Sequence, residues 1–185
     1  MPKKPVILNT TVLAQSALFR IEGLDLKFSN GEARCYERIC GRSTGSVMIV
    51  PLLDSLTILL IREYCAGVDS YLLGFPKGAI EYNEDVALAA NRELMEEVGY
   101  GANKLTQIGR FTASPGYMDA MMDIFLAQDL YPRVEEGDEP EPIEVIPWSL
   151  AEIDKLLAHP EFHEARSIAA LLMVARGDVD VKTGA

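Results

Sequence analysis

The chain has 185 residues, with 28 acidic against 17 basic side chains and a formal net charge of −11. Such a surface repels phosphate backbones and anionic lipid, which argues against nucleic acid and membranes as partners. A small anionic substrate is compatible with it where metals neutralise the site locally. Hydrophobic residues make up 49% of the chain, so a folded domain burying roughly 70% of its unfolded surface is expected, not a disordered one. Cys35, Cys40 and Cys65 form no metal-ligand spacing and cannot all pair, which fits reduced thiols and a cytoplasmic location. The first lysines lead into the polar run VILNTTVLAQS, which is not a signal peptide. The apolar stretch from Val47 to Ile61 is interrupted by Pro51 and Asp54 and is no membrane span.

From Val6 to about Ile39 apolar and polar residues alternate, and Asn30-Gly31 marks a hairpin turn. This predicts a small sheet that either faces solvent or joins two copies of the chain. SVMIVPLL and LTILLIREY then read as two strands parted by a turn at Asp54-Ser55. Their dense Val, Ile and Leu predicts burial on both faces, as in the central sheet of a layered α/β fold. Arg62 closes the second strand, where it either snorkels to solvent or points into a cleft. The tight run Gly74-Phe75-Pro76-Lys77-Gly78 leads to a helix with Asn83 as its predicted N-cap and Glu84 and Asp85 in its first turn. Gly99 and Gly101 are its predicted end.

On that helix Glu93, Glu96 and Glu97 are related as i, i+3 and i+4 and share one face. Ala87, Ala90, Leu94 and Val98 form the neighbouring stripe that can be buried. Three crowded carboxylates repel one another unless a cation joins them, and hard divalent ions such as Mg²⁺ or Mn²⁺ prefer such oxygen ligands. The plainer reading is a solvated acidic helix face.

Beyond the helix come a strand near Leu105 to Phe111, a turn at Ala113-Ser114-Pro115-Gly116-Tyr117, and a strand, MMDIFLAQDL. The segment from Tyr131 to Pro142 reads as an acidic loop, since six of the ten residues from Glu135 to Glu144 are acidic. IEVIPW is a further strand, followed by the helices SLAEIDKLLA, capped by Ser149, and EARSIAALLMVAR, with Ile168, Leu171 and Leu172 turned inward. His159 and His163 read as surface residues, and residues 178–185 as a frayed end.

The glycine at Gly78, then five residues, Glu84, seven residues, Arg92-Glu93-Leu94, any residue, Glu96-Glu97, any residue, Gly99 and the apolar Tyr100 form one pattern. It resembles the signature of the Nudix hydrolases at every fixed position. The resemblance implies the Nudix fold, of class α/β (α+β), with a mixed β-sheet layered between helices. Residues 1–45 are then an N-terminal β-rich, dimer-forming segment and residues 46–185 the hydrolase domain. The strings FSNG, YER, VMIVP, IREY, AANREL, AQDLYP, EGDEPEP and EAR extend the resemblance over most of the chain, to the Nudix branch that hydrolyses ADP compounds. That likeness implies a Mg²⁺- or Mn²⁺-dependent pyrophosphatase acting on ADP-ribose, NADH and short diadenosine polyphosphates, with AMP as a product. The partners implied are small ADP-containing nucleotides and a second copy in a homodimer.

The main-chain carbonyl of Lys77 is implied to join the metal shell. GFPKG is similar to the approach found in diadenosine-polyphosphate hydrolases and decapping relatives, whereas the ADP-ribose branch usually has Glu where Gly74 stands. A proline near the position of Pro115 marks the ADP-ribose branch, and a tyrosine near that of Tyr117 marks the diadenosine hydrolases; this chain has both. Tyr117 reads as an adenine-stacking residue or as packing on the sheet, and Arg62 as a phosphate or ribose contact. The zinc site and aromatic-proline motif of the NADH-pyrophosphatase branch are missing. The alternative function is a Nudix-fold sensor that binds ADP-ribose without cleaving it, but a sensor does not need the carboxylates, and all are intact. Decapping conflicts with an acidic surface lacking an RNA-binding stripe.

Pyrophosphate hydrolysis requires water delivered in line while charge spreads over phosphate oxygens. Glu93 and Glu97 are the first expected metal ligands, with Glu96 sharing the shell, Arg92 orienting these carboxylates and Glu84 supporting the loop. A proton acceptor is still needed. Two prolines stiffen Glu139-Pro140-Glu141-Pro142 toward a polyproline conformation, so Glu139 and Glu141 point in different directions. Likeness to the ADP-ribose branch assigns Glu139 as the base and Glu141 as the extra ligand. Should the loop prove inert, the base returns to Glu93.

Overall fold

The computed structural model describes residues 2–41 and 45–177. Its first three strands, β1 (Val6–Gln15), β2 (Phe19–Lys27) and β3 (Ala33–Gly41), form an antiparallel sheet of their own. The turn from β2 to β3 falls at Asn30-Gly31, with Gly31 at a φ of 91°. All of β1 is exposed, so this sheet leaves Val6, Leu8, Val12 and Leu13 in solvent.

The remaining strands are β4 (Ser46–Pro51), β5 (Thr57–Cys65), β6 (Ser70–Gly74), β7 (Lys77–Ala79), β8 (Tyr100–Thr112), β9 (Met121–Pro132) and β10 (Glu144–Ser149). They form two sheets. β4 lies between β7 and β9 in the order β7-β4-β9-β8, and β5 lies between β10 and β6. β4 runs parallel to β9, while the other pairs are antiparallel. The turn between β4 and β5 is as predicted, with Asp54 Oδ1 accepting from Leu56 N and Thr57 N at 2.8 Å each. It sends the chain into a different sheet because β4 finds its edge partners in distant segments.

Burial on both faces holds for β4. Val47 and Ile49 pack with Leu59, Ile61, Ala90, Leu94 and Phe125 on one side. Met48 and Val50 pack with Leu60, Leu73, Phe75, Ile124 and Leu171 on the other. The helix α1 (Val86–Val98) covers the first side. α2 (Ile153–Leu157), entered through a 3₁₀ turn at Leu150–Glu152, and α3 (Ala165–Ala175) cover the second. The result is a mixed α+β architecture of sheets layered between helices.

Several local expectations shift. The N-cap of α1 is Asp85, whose carboxylate accepts from Ala87 N and Leu88 N, because Asn83 sits in the left-handed region at a φ of 64°. Glu84 therefore precedes the helix. Gly99 ends it with a φ of 77°, but Gly101 belongs to β8, where it makes room for the Tyr131 ring. The helix stripe is buried at Ala89, Ala90, Leu94 and Val98, with Ala87 half-buried. On α3 the buried residues are Ser167, Ala170, Leu171 and Val174; Ile168 packs at their margin and Leu172 is half-buried. His163 is exposed, whereas His159 is half-buried edge-on against Trp148 at 5.9 Å. Among the described residues no helix is long and apolar enough to cross a membrane. Residues 178–185, expected to fray, lie outside the described residues.

Candidate active site

The site is built where β7 crosses over α1. Asp85 caps the helix, and Asn91 ties its middle to β8 by accepting from Ala102 N at 2.9 Å. That orientation turns Leu94 and Val98 into the core and Glu93, Glu96 and Glu97 toward β7. Gly78 on β7 lies directly against the carboxylate of Glu93.

Arg92 gathers the acidic groups. Its guanidinium donates to Glu84 Oε1 at 2.9 Å, Glu93 Oε1 at 2.7 Å, Glu96 Oε2 at 3.0 Å and the Ala79 carbonyl at 3.0 Å. Its bonds to Glu84 above all, against the opposing effect of burial, raise its already high pKa and pull that of Glu84 down. Glu97 lies deeper. It accepts from the Lys77 backbone N–H at 2.8 Å, but burial outweighs that bond and pushes its pKa up to about 8. Burial also raises Glu93, despite the pull of Arg92. Burial works against the charge of Lys77, but its ion pair with Glu63 prevails, so its pKa rises.

A chamber of about 400 Å³ opens over this floor, lined by Lys77, Gly78, Arg92, Glu93 and Glu96 below and by Glu136, Gly137, Asp138 and Glu139 from the acidic loop. Glu139 is exposed, yet desolvation at its carboxyl end and the nearby charges of Glu63 and Asp138 raise its pKa. Carboxylates thus outnumber the cations Lys77 and Arg92. Among the described residues no three acidic, histidine or cysteine side chains stand ready-made in metal-binding geometry; Arg92 and the Lys77 amide are bonded to oxygens of Glu93, Glu96 and Glu97. The donor chemistry nevertheless fits a hard divalent cation: every candidate ligand is an oxygen, and Arg92 and Lys77 offset only part of the carboxylate charge.

Comparison with known proteins shows the family. A family model described as the NUDIX domain matches residues 42–172, and one described as the NudE-type Nudix hydrolase N-terminal domain matches residues 5–38. The chain belongs to the Nudix hydrolases. It is 51% identical, over 93% of its length and 92% of the relative's, to the ADP compounds hydrolase NudE of Escherichia coli (strain K12). It is 32% identical to the ADP-ribose pyrophosphatase of Bacillus subtilis (strain 168), over 80% of each chain. A crystal structure of an ADP compounds hydrolase superposes with a TM-score of 0.87 at 50% identity, covering 95% of both chains.

In this Nudix hydrolase the other expected residues are dispersed. Glu139 reaches the carboxylate chamber, but Glu141 does not: it faces the other way and accepts from the Tyr71 hydroxyl at 2.5 Å. The extra-ligand position expected for Glu141 is therefore not occupied in this arrangement. Arg62 lines a second chamber of about 300 Å³, which also takes in Glu139, and its guanidinium is bound by Glu144 and Glu161. Pro115 and Tyr117 line neither chamber. Their turn hangs on β3, with the Ile39 amide donating to the Tyr117 carbonyl at 2.7 Å, and Tyr117 is exposed.

Sequence reasoning missed Glu63, Tyr64 and Tyr71, which line the second chamber, and Glu136 and Asp138 in the first. The only sequence signal for Glu63 and Tyr64 was their place directly after Arg62. Tyr71 had none, because its proximity comes from the β5–β6 register, which pairs it with Tyr64.

Proposed function

We propose that this Nudix hydrolase is a Mg²⁺- or Mn²⁺-dependent pyrophosphatase that cleaves ADP-linked compounds, namely ADP-ribose, NADH and short diadenosine polyphosphates, releasing AMP. The observation that carries this reading is the convergence of Glu93, Glu96 and Glu139 on one chamber floored by Gly78, with Glu97 held behind them on the Lys77 amide. The names of the similar proteins support the ADP-containing substrate class.

Glu93, Glu96 and Glu97, with the Lys77 carbonyl, are the groups that would hold the metal. A bound divalent ion would neutralise phosphate charge and acidify the attacking water. Arg92 positions the carboxylates. Glu139 stands at the mouth of the chamber with a raised pKa, suited to take the proton of the attacking water. Arg62 walls the substrate chamber, and its two carboxylate partners leave it less free for phosphate than expected.

The N-terminal segment, residues 1–45, is read as the dimerisation element of a homodimer and residues 46–185 as the hydrolase domain. The apolar residues left in solvent along β1 support this. Pro115 and Tyr117 hang from the same sheet, so adenine contact by Tyr117 and dimer formation are read as one unit. Introducing charge at Leu8 and Val12 should then yield monomers in analytical ultracentrifugation; an unchanged mass would reject the dimerisation reading.

The direct test of function is AMP release from ADP-ribose with Mg²⁺ or Mn²⁺, with ATP and UDP-glucose as controls. ADP-ribose binding without AMP release would favour the sensor, and equal cleavage of ATP or UDP-glucose would overturn the substrate class.

A further inference from the structure

Beyond the carboxylate chamber, the second one has a chemistry of its own. Tyr64 and Tyr71 are cross-strand partners on β5 and β6, with ring centroids 5.6 Å apart and planes at 64°. Both hydroxyls are tied down: Tyr64 donates to Asp69 Oδ1 at 2.6 Å and Tyr71 to Glu141 Oε1 at 2.5 Å. Fixed phenol ends hold the rings in place, yet the residues remain 47% and 44% exposed. Meeting edge to face, they do not cap each other as a stacked pair would. Pro140, Pro142 and Ile143 add apolar surface. A volume of about 300 Å³ matches the lower end of small-molecule sites, roughly 300–1,000 Å³.

The charges indicate what belongs there. Glu63, Glu139, Glu141 and Glu144 line the chamber, and its one cation, Arg62, is already paired with Glu144 and Glu161. Phosphate is repelled, whereas a flat, neutral or cationic ring is not. Glu139 lines both chambers, so a substrate with its phosphates over α1 can place its next group here.

We propose that Tyr64 and Tyr71 form the subsite for the second base of a two-headed dinucleotide, the base lying across the pyrophosphate from the ADP half. This rests on the pyrophosphatase reading above. It separates NADH and diadenosine polyphosphates, which carry that second ring, from ADP-ribose, which does not.

The test compares kcat/KM for NADH and diadenosine triphosphate with that for ADP-ribose in wild type, Tyr64→Leu, Tyr71→Leu and Tyr71→Phe. Loss of a stacking contact should lower the dinucleotide to ADP-ribose ratio roughly 5- to 100-fold in the leucine variants. Tyr71→Phe keeps the ring and should hold the ratio within about twofold of wild type. An unchanged ratio in the leucine variants, or a loss in Tyr71→Phe equal to that in Tyr71→Leu, overturns the subsite; the latter would assign the effect to the hydroxyl bond with Glu141. If wild type turns over no ADP compound, the function reading fails by itself. Calorimetric binding of diadenosine triphosphate and AMP to wild type and Tyr71→Leu then decides the subsite. Selective weakening of the two-base ligand supports it, and equal affinities for that ligand overturn it.

Discussion

A carbon atom placed on Gly78 would lie 2.0 Å from Cδ of Glu93 and 2.1 Å from each of its carboxylate oxygens. The two residues thus touch through the absence of a side chain. Gly78→Ala should push Glu93 off its position while the helix and core remain intact. The clash is with the far end of a flexible side chain, so the fold should hold, while activity should fall by roughly 10- to 100-fold with the metal site displaced. Circular dichroism and AMP release check this together; a folded, fully active Gly78→Ala protein would remove Glu93 from the site.

Glu97 predicts a pH dependence. Its folded-state pKa is raised to about 8, above that of the unfolded chain, so the folded protein binds the extra proton between about pH 4.5 and 8. Stability of the metal-free protein should therefore fall as pH rises through that window. Glu93 and Glu139 act with the same sign. Glu84 and Glu164, whose pKa values are lowered, titrate below the window and leave it undisturbed. Thermal unfolding in EDTA should show a higher Tm at pH 5.5 than at pH 8 and a flatter profile in Glu97→Gln. Mg²⁺ or Mn²⁺ at pH 8 should recover stability in wild type more than in the variant, which should also lose roughly 10²-fold in turnover.

Arg92 serves three carboxylates and one carbonyl with a single planar fork. A lysine keeps the charge but cannot reproduce that geometry. Arg92→Lys should lose activity by roughly 10-fold or more and weaken metal affinity. Arg92→Ala should in addition destabilise the fold by roughly 1–3 kcal/mol, since part-buried carboxylates lose the cation they share. Urea unfolding with Mn²⁺ titration separates the two effects, and a lysine variant with wild-type kinetics would show that charge alone suffices.

The acidic loop divides at Pro140. Glu139→Gln should lower turnover roughly 10²–10⁴-fold with Mn²⁺ affinity nearly unchanged. Glu141→Gln, remote from the carboxylate chamber, should affect turnover far less. Strongly weakened Mn²⁺ binding in Glu141→Gln would restore the ligand role read from the sequence and require the loop to leave Tyr71. If neither change matters, Glu93 is the base.

Local and periodic features were legible in the chain alone. Glu93, Glu96 and Glu97 share a face because helical geometry alone relates i, i+3 and i+4, and the glycine turn at Gly31 and the stop at Gly99 follow from backbone freedom at single residues. Capping was legible only to within two residues, since Asn83 and Asp85 are both competent caps and the backbone at each decides between them. Tertiary structure decided everything that depends on long-range pairing. β4 and β5, adjacent in sequence and alike in composition, went to different sheets because their hydrogen-bonding edges were claimed by β9 and β10. The same pairing brought Tyr71 to Tyr64, aimed Glu141 away from the α1 carboxylates and left Tyr117 on a turn tied to β3. Spacing along a chain carries no record of which distant strand will complete a ladder, and those choices set the walls of both chambers.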